Sequence, residues 1–485
     1  MIFVSSLKKI YQQNKIFKAI IILLTILIIG LFIFLEILSR GAAMVFNQAM
    51  ENQDMLRGSV KVEKLLAHIN GYVTFENLVW EDSNGNTILK VPSGSFKVSL
   101  IDVMTNNLKA TTIQELTLND AVVSIHLADD MQVDFIKPTP AMRHLENNKA
   151  AEDNDWRNLV SLAGKSETER KAIGKWRREY KARKLQKNWA NFNRNGRKIK
   201  MKLNFNNCFM EVFFKERHYL LEHVAIHTDV DTSRQMSIDA NTGGFGGTMI
   251  GDGVRLKGAV DFTTQPMPTC DLRLRFIEVD PSSLGFGLNI HDKMTMDSHF
   301  TGSIDNISGE GSLYMRELHI PGLYFKNVTG DINYQGAKMT FSKVTADVYG
   351  GHLVAEGVYD FDTRGYSLHG KGTELDTKIA LPKSHLSCKV DLDLNITSEG
   401  SAKTTIIDGA FISGAGHYRI LPFKYLQGSF SNKYHDLQFF DVKIACAGFN
   451  VATDAFRIKD GKLTMEPINL SDVAGRKLIT IPARK

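Results

Sequence analysis

The sequence predicts a mainly β protein: an elongated, curled antiparallel sheet with one N-terminal transmembrane helix and a helical insertion. Three observations carry this reading. An apolar run begins at Ala19 and is long enough to cross a bilayer. Apolar and polar residues alternate with a period of two over 58–137 and again over 201–485. Between these stretches, 138–200 is charged, poor in β-branched residues and without alternation, which argues for helix.

The first element spans 19–38. Ala19 to Leu35 is unbroken in its apolarity, and Ile37 and Leu38 extend it past Glu36. A helix of about 20 residues crosses about 30 Å of hydrocarbon. Lys8, Lys9, Lys15 and Lys18 precede it with no acidic residue among them. The positive-inside bias places 1–18 in the cytoplasm and everything after Arg40 on the other side. A cleaved signal peptide is the competing reading, favoured by Ser39, Gly41, Ala42 and Ala43 but opposed by the length of the run. Gly41 to about Leu56 reads as a short helical linker.

Over 58–137 the pairs Val60/Val62 and Val73/Phe75, with Phe96/Val98/Leu100 and Val123/Ile125/Leu127, alternate with mostly polar neighbours. Asn70-Gly71, Asn84-Gly85-Asn86 and Pro92-Ser93-Gly94 read as turns. Within the helical insertion 138–200, the basic segment GKWRREYKARKLQKNW places Ile173, Trp176 and Tyr180 on one face. Leu185, Trp189 and Phe192 continue that face with some drift. Three roles stay open for it: nucleic-acid binding, disfavoured by an exported location; a membrane-surface helix using Trp176, Tyr180 and Trp189; or a cap over one end of the sheet, the default.

From 201 the clearest strands are Val254-Leu256-Val260-Phe262, Leu272-Leu274-Phe276 and Val390-Leu392-Leu394-Ile396. Lys389, Asp391, Asp393 and Asn395 alternate with the last set, so one face is apolar and the other polar. Gly-Ser-apolar starts at Gly58, Gly302, Gly311 and Gly428 suggest a loosely repeating strand or hairpin unit. No helices alternate with these strands, so a parallel βαβ sheet is disfavoured and an antiparallel meander expected. About thirty strands at about 4.8 Å spacing reach about 150 Å, and a sheet that long curls or closes. The curled form has a concave apolar face; an ordinary sandwich accounts for the same alternation.

Hydrophobic residues at 43% and charged residues at 23% argue against both disorder and a multi-span membrane protein. Thirty-eight glycines against 11 prolines suit many strands with tight turns. A net charge of +6 over 485 residues does not argue for a nucleic-acid partner. Cys208, Cys270, Cys388 and Cys446 are far apart in sequence and form no C-x-x-C, so they read as small buried residues, with disulfides left open. His218, His223 and His227 cluster without an acid or cysteine to complete a metal set, and read as solvated strand histidines. The glycine-rich stretch Thr242–Thr248 lacks a following P-loop lysine and reads as a strand-joining loop. With no G-x-S-x-G and no H-E-x-x-H, neither an enzyme nor a cofactor is expected.

Gly71 to Leu127, GYVTFENLVWEDSNGNTILKVPSGSFKVSLIDVMTNNLKATTIQELTLNDAVVSIHL, resembles the N-terminal module of the AsmA/TamB-like envelope proteins. Gly309 to Gly372 is similar to that family's later repeats, most specifically in TADVYGGHLVAEG with Tyr349-Gly350-Gly351. The resemblance covers most of the exported chain except about 138–200. It implies a taco-like bridge that holds phospholipid or another envelope lipid in a hydrophobic groove, anchored in the inner membrane with its body in the periplasm of a diderm bacterium. The candidate groove residues are then Val254, Leu256, Val260, Phe262, Leu272, Leu274, Phe276, Val390, Leu392, Leu394 and Ile396. The alternative is a non-catalytic scaffold that assembles outer-membrane proteins through its β edges.

Overall fold

A computed structural model describes residues 58–68, 70–82, 85–99, 101, 113–127, 164–194, 200–214, 217–284, 290–320, 323–400 and 402–483. The expected span 19–38 and the linker 41–56 lie outside these residues. Among the described residues no helix is long and apolar enough to cross a membrane. The protein is mainly β, antiparallel-rich and has few helices. It divides into two compact units, 1–145 with 197–248, and 146–196 with 249–485. The strands after the insertion, up to residue 248, thus group with the N-terminal ones, whereas the sequence reading begins a new domain at 201.

The first unit contains β1 (Ser59–Ala67), β2 (Tyr72–Glu81), β3 (Thr87–Val98), β4 (Ile113–Asn119), β5 (Val122–Leu127), β6 (Lys200–Phe214), β7 (Arg217–Asp231), β8 (Gln235–Asn241) and β9 (Gly244–Gly247). Alternate residues of these strands, including Val62, Phe75, Val91, Leu118, Cys208 and Val224, close its core. The turn at Gly71 forms as expected, with a φ of 82° that glycine adopts readily. Pro92-Ser93-Gly94 is not a turn. It lies inside β3, where a Cβ at Gly94 would stand 2.3 Å from the Phe75 ring, so the glycine leaves room for the phenyl group on β2. Gly244–Gly247 is likewise a short strand paired with β7 and not a loop.

The antiparallel expectation fails at one place. Both β4 and β5 pair with β6 in parallel, Leu116 opposite Leu203 and Ile125 opposite Val212. Parallel neighbours need a long crossover connection. The insertion provides one, which the strand pattern alone does not disclose.

The second unit begins with helix α1 (Glu167–Arg194). Its N-terminus carries a reciprocal cap: Glu169 N–H donates to Ser166 Oγ at 3.3 Å, and Ser166 N–H donates to Glu169 Oε2 at 2.9 Å. A meander follows: β10 (Gly253–Asp261), β11 (Thr269–Val279), β12 (Met294–Ser303), β13 (Asn306–Ile320), β14 (Leu323–Gln335), β15 (Lys338–Val348), β16 (Gly351–Asp360) and β17 (Tyr366–Asp376). After the single turn α2 (Thr377–Ala380) come β18 (Leu386–Ser387), β19 (Lys389–Ser398), β20 (Ile406–Ser413), β21 (Gly416–Tyr418), β22 (Leu421–Lys433) and β23 (Asp436–Cys446). The last strands are β24 (Phe449–Lys459), β25 (Lys462–Met465), β26 (Ile468–Asp472) and β27 (Lys477–Ile481). Pairings within this unit are antiparallel and join near neighbours in sequence.

Gly302, Gly311 and Gly428 do not start strands. They lie inside β12, β13 and β22, and only Gly58 precedes a strand. Some strand glycines here sit beneath large cross-strand neighbours, while Gly302 and Gly311 lie close to neighbouring backbone. A Cβ at Gly309 would be 2.6 Å from the Phe300 ring, and one at Gly428 would be 2.8 Å from Phe411. At these positions the glycines let bulky side chains lie over the adjacent strand.

Candidate functional site: the apolar face of the second unit

Residues directly opposite each other in a sheet project to the same side, so register traces a face. From Leu256 on β10 the row passes to Leu274, Ser298, Gly311, Ile332 and Phe341. It continues through Gly357, Leu368 and Ile396 to Ile407 on β20. A second row starts at Leu394 and passes Gly409, Phe430, Phe439 and Phe456 to Met465 on β25. Ser298 holds the one polar side chain in either row. The face is continuous in register from β10 to β25.

The structure places the candidate groove residues as follows. Val254 faces Phe276, Leu256 faces Leu274, Leu272 faces Gly258, and Val260 faces Cys270. Val390, Leu392, Leu394 and Ile396 lie together on β19, seven strand steps beyond β11 along the same face. All of these except the buried Val260 are half-buried among the described residues. Phe262, just beyond β10, is instead stacked beneath Trp189 of α1, with ring centroids 5.5 Å apart.

Buried side chains gather in two clusters of the layer, and the candidate residues Leu392 and Val390 pack against them. Met315, Phe325, Val328, Ala346, Val348 and Leu375 form one cluster. Cys388, Phe423 and Cys446 form another. All four cysteines are free and buried. Burial pushes the Cys208, Cys270 and Cys446 thiols up from their ordinary range.

The opposite face is charged. Arg255 stands opposite Arg275, and Lys257 opposite Arg273. Arg275 Nε lies 3.6 Å from Asp297, and His299 Nε2 lies 2.8 Å from Asp271. Apart from Asp271, these side chains line a shallow depression that reaches Glu310 and Asp331. The face thus keeps water, and the apolar one is set apart from it by a single strand thickness.

Helix α1 runs along the turns at one end of the strands. Arg170, itself buried, donates to the Glu399 carbonyl and, at 2.9 Å, to the Glu399 carboxylate after β19. Arg178 donates to Asp362 in the β16–β17 turn and, at 3.1 Å, to the Gly336 carbonyl in the β14–β15 turn. Gln186 donates to Asp305 in the β12–β13 turn at 2.6 Å. Arg170 to Gln186 spans about 24 Å of helix at about 1.5 Å per residue. The hairpins they reach are six strands apart, about 29 Å at about 4.8 Å per strand. Burial raises the Asp362 carboxyl above its ordinary range, against the pull of Arg178. Trp176 stacks on Tyr180 at 5.1 Å, and Leu185 is 42% exposed, so the apolar stripe of α1 is interrupted. This seat is the arrangement a cap requires. The sequence reading missed its partners, although acidic residues recur in the turns on that side.

Two of the three clustered histidines meet asparagines, while His218 stacks on Phe213 with its Nε2 3.9 Å from Glu211 Oε1. His223 Nδ1 lies 2.7 Å from Asn207 Oδ1, and His227 Nδ1 lies 3.2 Å from Asn204 Oδ1. Among the described residues no group of three or more His, Cys, Asp or Glu is placed to hold a metal ion. No protein-family model, curated protein or solved structure matches the chain.

Proposed function

We propose that this is a non-catalytic, membrane-anchored envelope protein that holds or conducts lipids along the apolar face of its second unit. The observation that carries the reading is the apolar register from β10 to β25, interrupted by a polar side chain only at Ser298 and left half-buried over most of its candidate positions. A sandwich core would be sealed. An acyl chain on this face avoids water at about 0.8 kcal/mol per methylene, while head groups stay wetted at its margin. A curled, elongated sheet and the AsmA/TamB-like resemblance belong to the same proposal. So do an inner-membrane anchor at 19–38, a cytoplasmic N-terminus and a periplasmic body. The partners are phospholipid or another envelope lipid and the inner membrane; no nucleic acid and no cofactor is involved.

Scaffolding of outer-membrane proteins is the second reading. It is favoured by β27, whose Leu478 and Ile479 are exposed and which pairs only with β26 among the described residues. In-vivo photo-crosslinking from Leu256, Leu274 and Leu392 separates the two. Lipid adducts at all three support the conduit. Protein adducts alone support the scaffold and exclude the conduit.

A further inference from the structure

A second surface lies at the strand ends opposite α1. Segments Thr377–Cys388 and Gly414–Tyr425 meet there: Leu386 pairs with Tyr418, Ser387 with His417, and Arg419 N–H donates to the His385 carbonyl at 3.0 Å. Their inner side is firmly held. Thr377, Cys388 and Phe423 are buried, and Thr377 Oγ1 accepts from Cys388 N–H at 2.9 Å. Asp376 caps α2 by accepting from Lys378 N–H at 2.9 Å.

The outer side is apolar and exposed. Ile420 is 98% exposed, Ile379 57% and Leu381 54%, with Tyr418 and Leu421 exposed beside them. Around them stand Lys378, Lys383, Arg419 and Lys424, and neither segment contains an Asp or Glu. The Arg419 guanidinium lies over the Tyr418 ring, 5.9 Å from its centroid. Folding gains nothing from aliphatic side chains held out in water on a pinned backbone. A protein partner would call for shaped pockets and paired charges. The charged side chains of both segments are all positive, with the adjoining Asp376 held in the α2 cap and 3.8 Å from Lys389. Positive charge around protruding aliphatic and tyrosine side chains fits a fluid anionic surface, where tyrosines sit at head-group level and long cationic stems reach phosphates.

We propose that this platform docks on an anionic lipid head-group surface, with Ile420 and Leu421 entering the acyl boundary and Lys378, Lys383, Arg419 and Lys424 meeting lipid phosphates. It is separate from the apolar face described above, and docking does not depend on lipid being carried there.

The test uses the full chain in phosphatidylcholine nanodiscs, labelled with an environment-sensitive dye through Leu421→Cys. The native thiols are buried and do not compete for the dye. Vesicles of phosphatidylcholine alone, or of equal parts phosphatidylcholine and phosphatidylglycerol, are then added. The dye shifts to the blue with the anionic vesicles only, and salt reverses the shift. Each Lys or Arg strengthens such binding about fivefold, so Lys383→Ala with Arg419→Ala weakens it tenfold or more. A dye at Leu463→Cys, exposed at the far strand end, does not respond. Absence of any shift, an equal shift with neutral vesicles, or a shift that survives removal of both cations overturns the proposal. An unchanged melting temperature in the charge variants shows that the platform is still folded. Lipid adducts at Leu256, Leu274 and Leu392 are scored separately, so either proposal can fail alone.

Discussion

A carboxylate placed at Leu274 or Leu392 distinguishes an accessible apolar face from an ordinary core. Both side chains are half-buried on the traced face. Full burial of a leucine is worth about 1.5–3 kcal/mol, so replacing either with Asp costs about 1–2 kcal/mol of folding free energy while the carboxylate reaches water. Against a domain stability of about 5–15 kcal/mol, each variant remains folded. An acyl chain crossing the same position must cover that charge, at a cost of several kcal/mol. At about 1.4 kcal/mol per tenfold, lipid occupancy falls by two or more orders of magnitude. The positions are seven strand steps apart, about 34 Å, so they act as separate blocks. The assay is lipid extracted per mole of protein from native membranes, read beside the thermal melt. Parent protein that carries no lipid, or folded variants that keep all of it, refute the reasoning.

Other outcomes follow from the packing. Gly311→Ala brings a Cβ to 1.9 Å from the Asp297 carbonyl oxygen, whereas Gly414→Ala meets nothing within 4 Å. The first lowers stability by about 1–3 kcal/mol in denaturant titrations and the second is close to neutral. Arg178→Met strands the largely buried Asp362 carboxylate and costs about 1–3 kcal/mol, more than Asp362→Asn, in thermal melts of each variant. Because burial raises the folded Asp362 value, its contribution is whole below the ordinary 3.8 and is lost as pH rises through the folded value. Asp362→Asn escapes that loss, so its melting temperature climbs relative to the parent across that window; a parallel pair of pH curves would contradict this. The buried thiols of Cys208, Cys270, Cys388 and Cys446 resist alkylation until the protein unfolds, as mass shifts measured with and without denaturant would record.

Strand identity was legible because half-buried strands write a period of two into the sequence. Leu392 and Leu394 between Asp391, Asp393 and Asn395 are the plainest case, and the structure pairs them as one strand. Glycine was the main source of error. Pro92-Ser93-Gly94 has turn composition, but Gly94 serves the bulk of Phe75 on the next strand, a cross-strand demand that local composition does not reveal. Gly428 misled for the same reason, beneath Phe411, and Gly311 because the neighbouring backbone at Asp297 leaves no room for a Cβ. The parallel pairing of β5 with β6 joins Ile125 to Val212 across the whole insertion, beyond any local pattern. For α1, the aromatic and basic residues were visible, but their partners are set by where distant hairpins end: Asp305, Asp362 and Glu399 become neighbours of one helix only once the meander is built.

That helix has an implication for biosynthesis. Arg170 emerges from the ribosome 229 residues before Glu399, so its binding partner does not exist when α1 is made. Each later hairpin adds one docking point, from Phe262 through Asp305 and Asp362 to Glu399. The brace therefore closes in the reverse of its own direction, its C-terminal end first, and the ion pair at Arg170 is a late event in maturation.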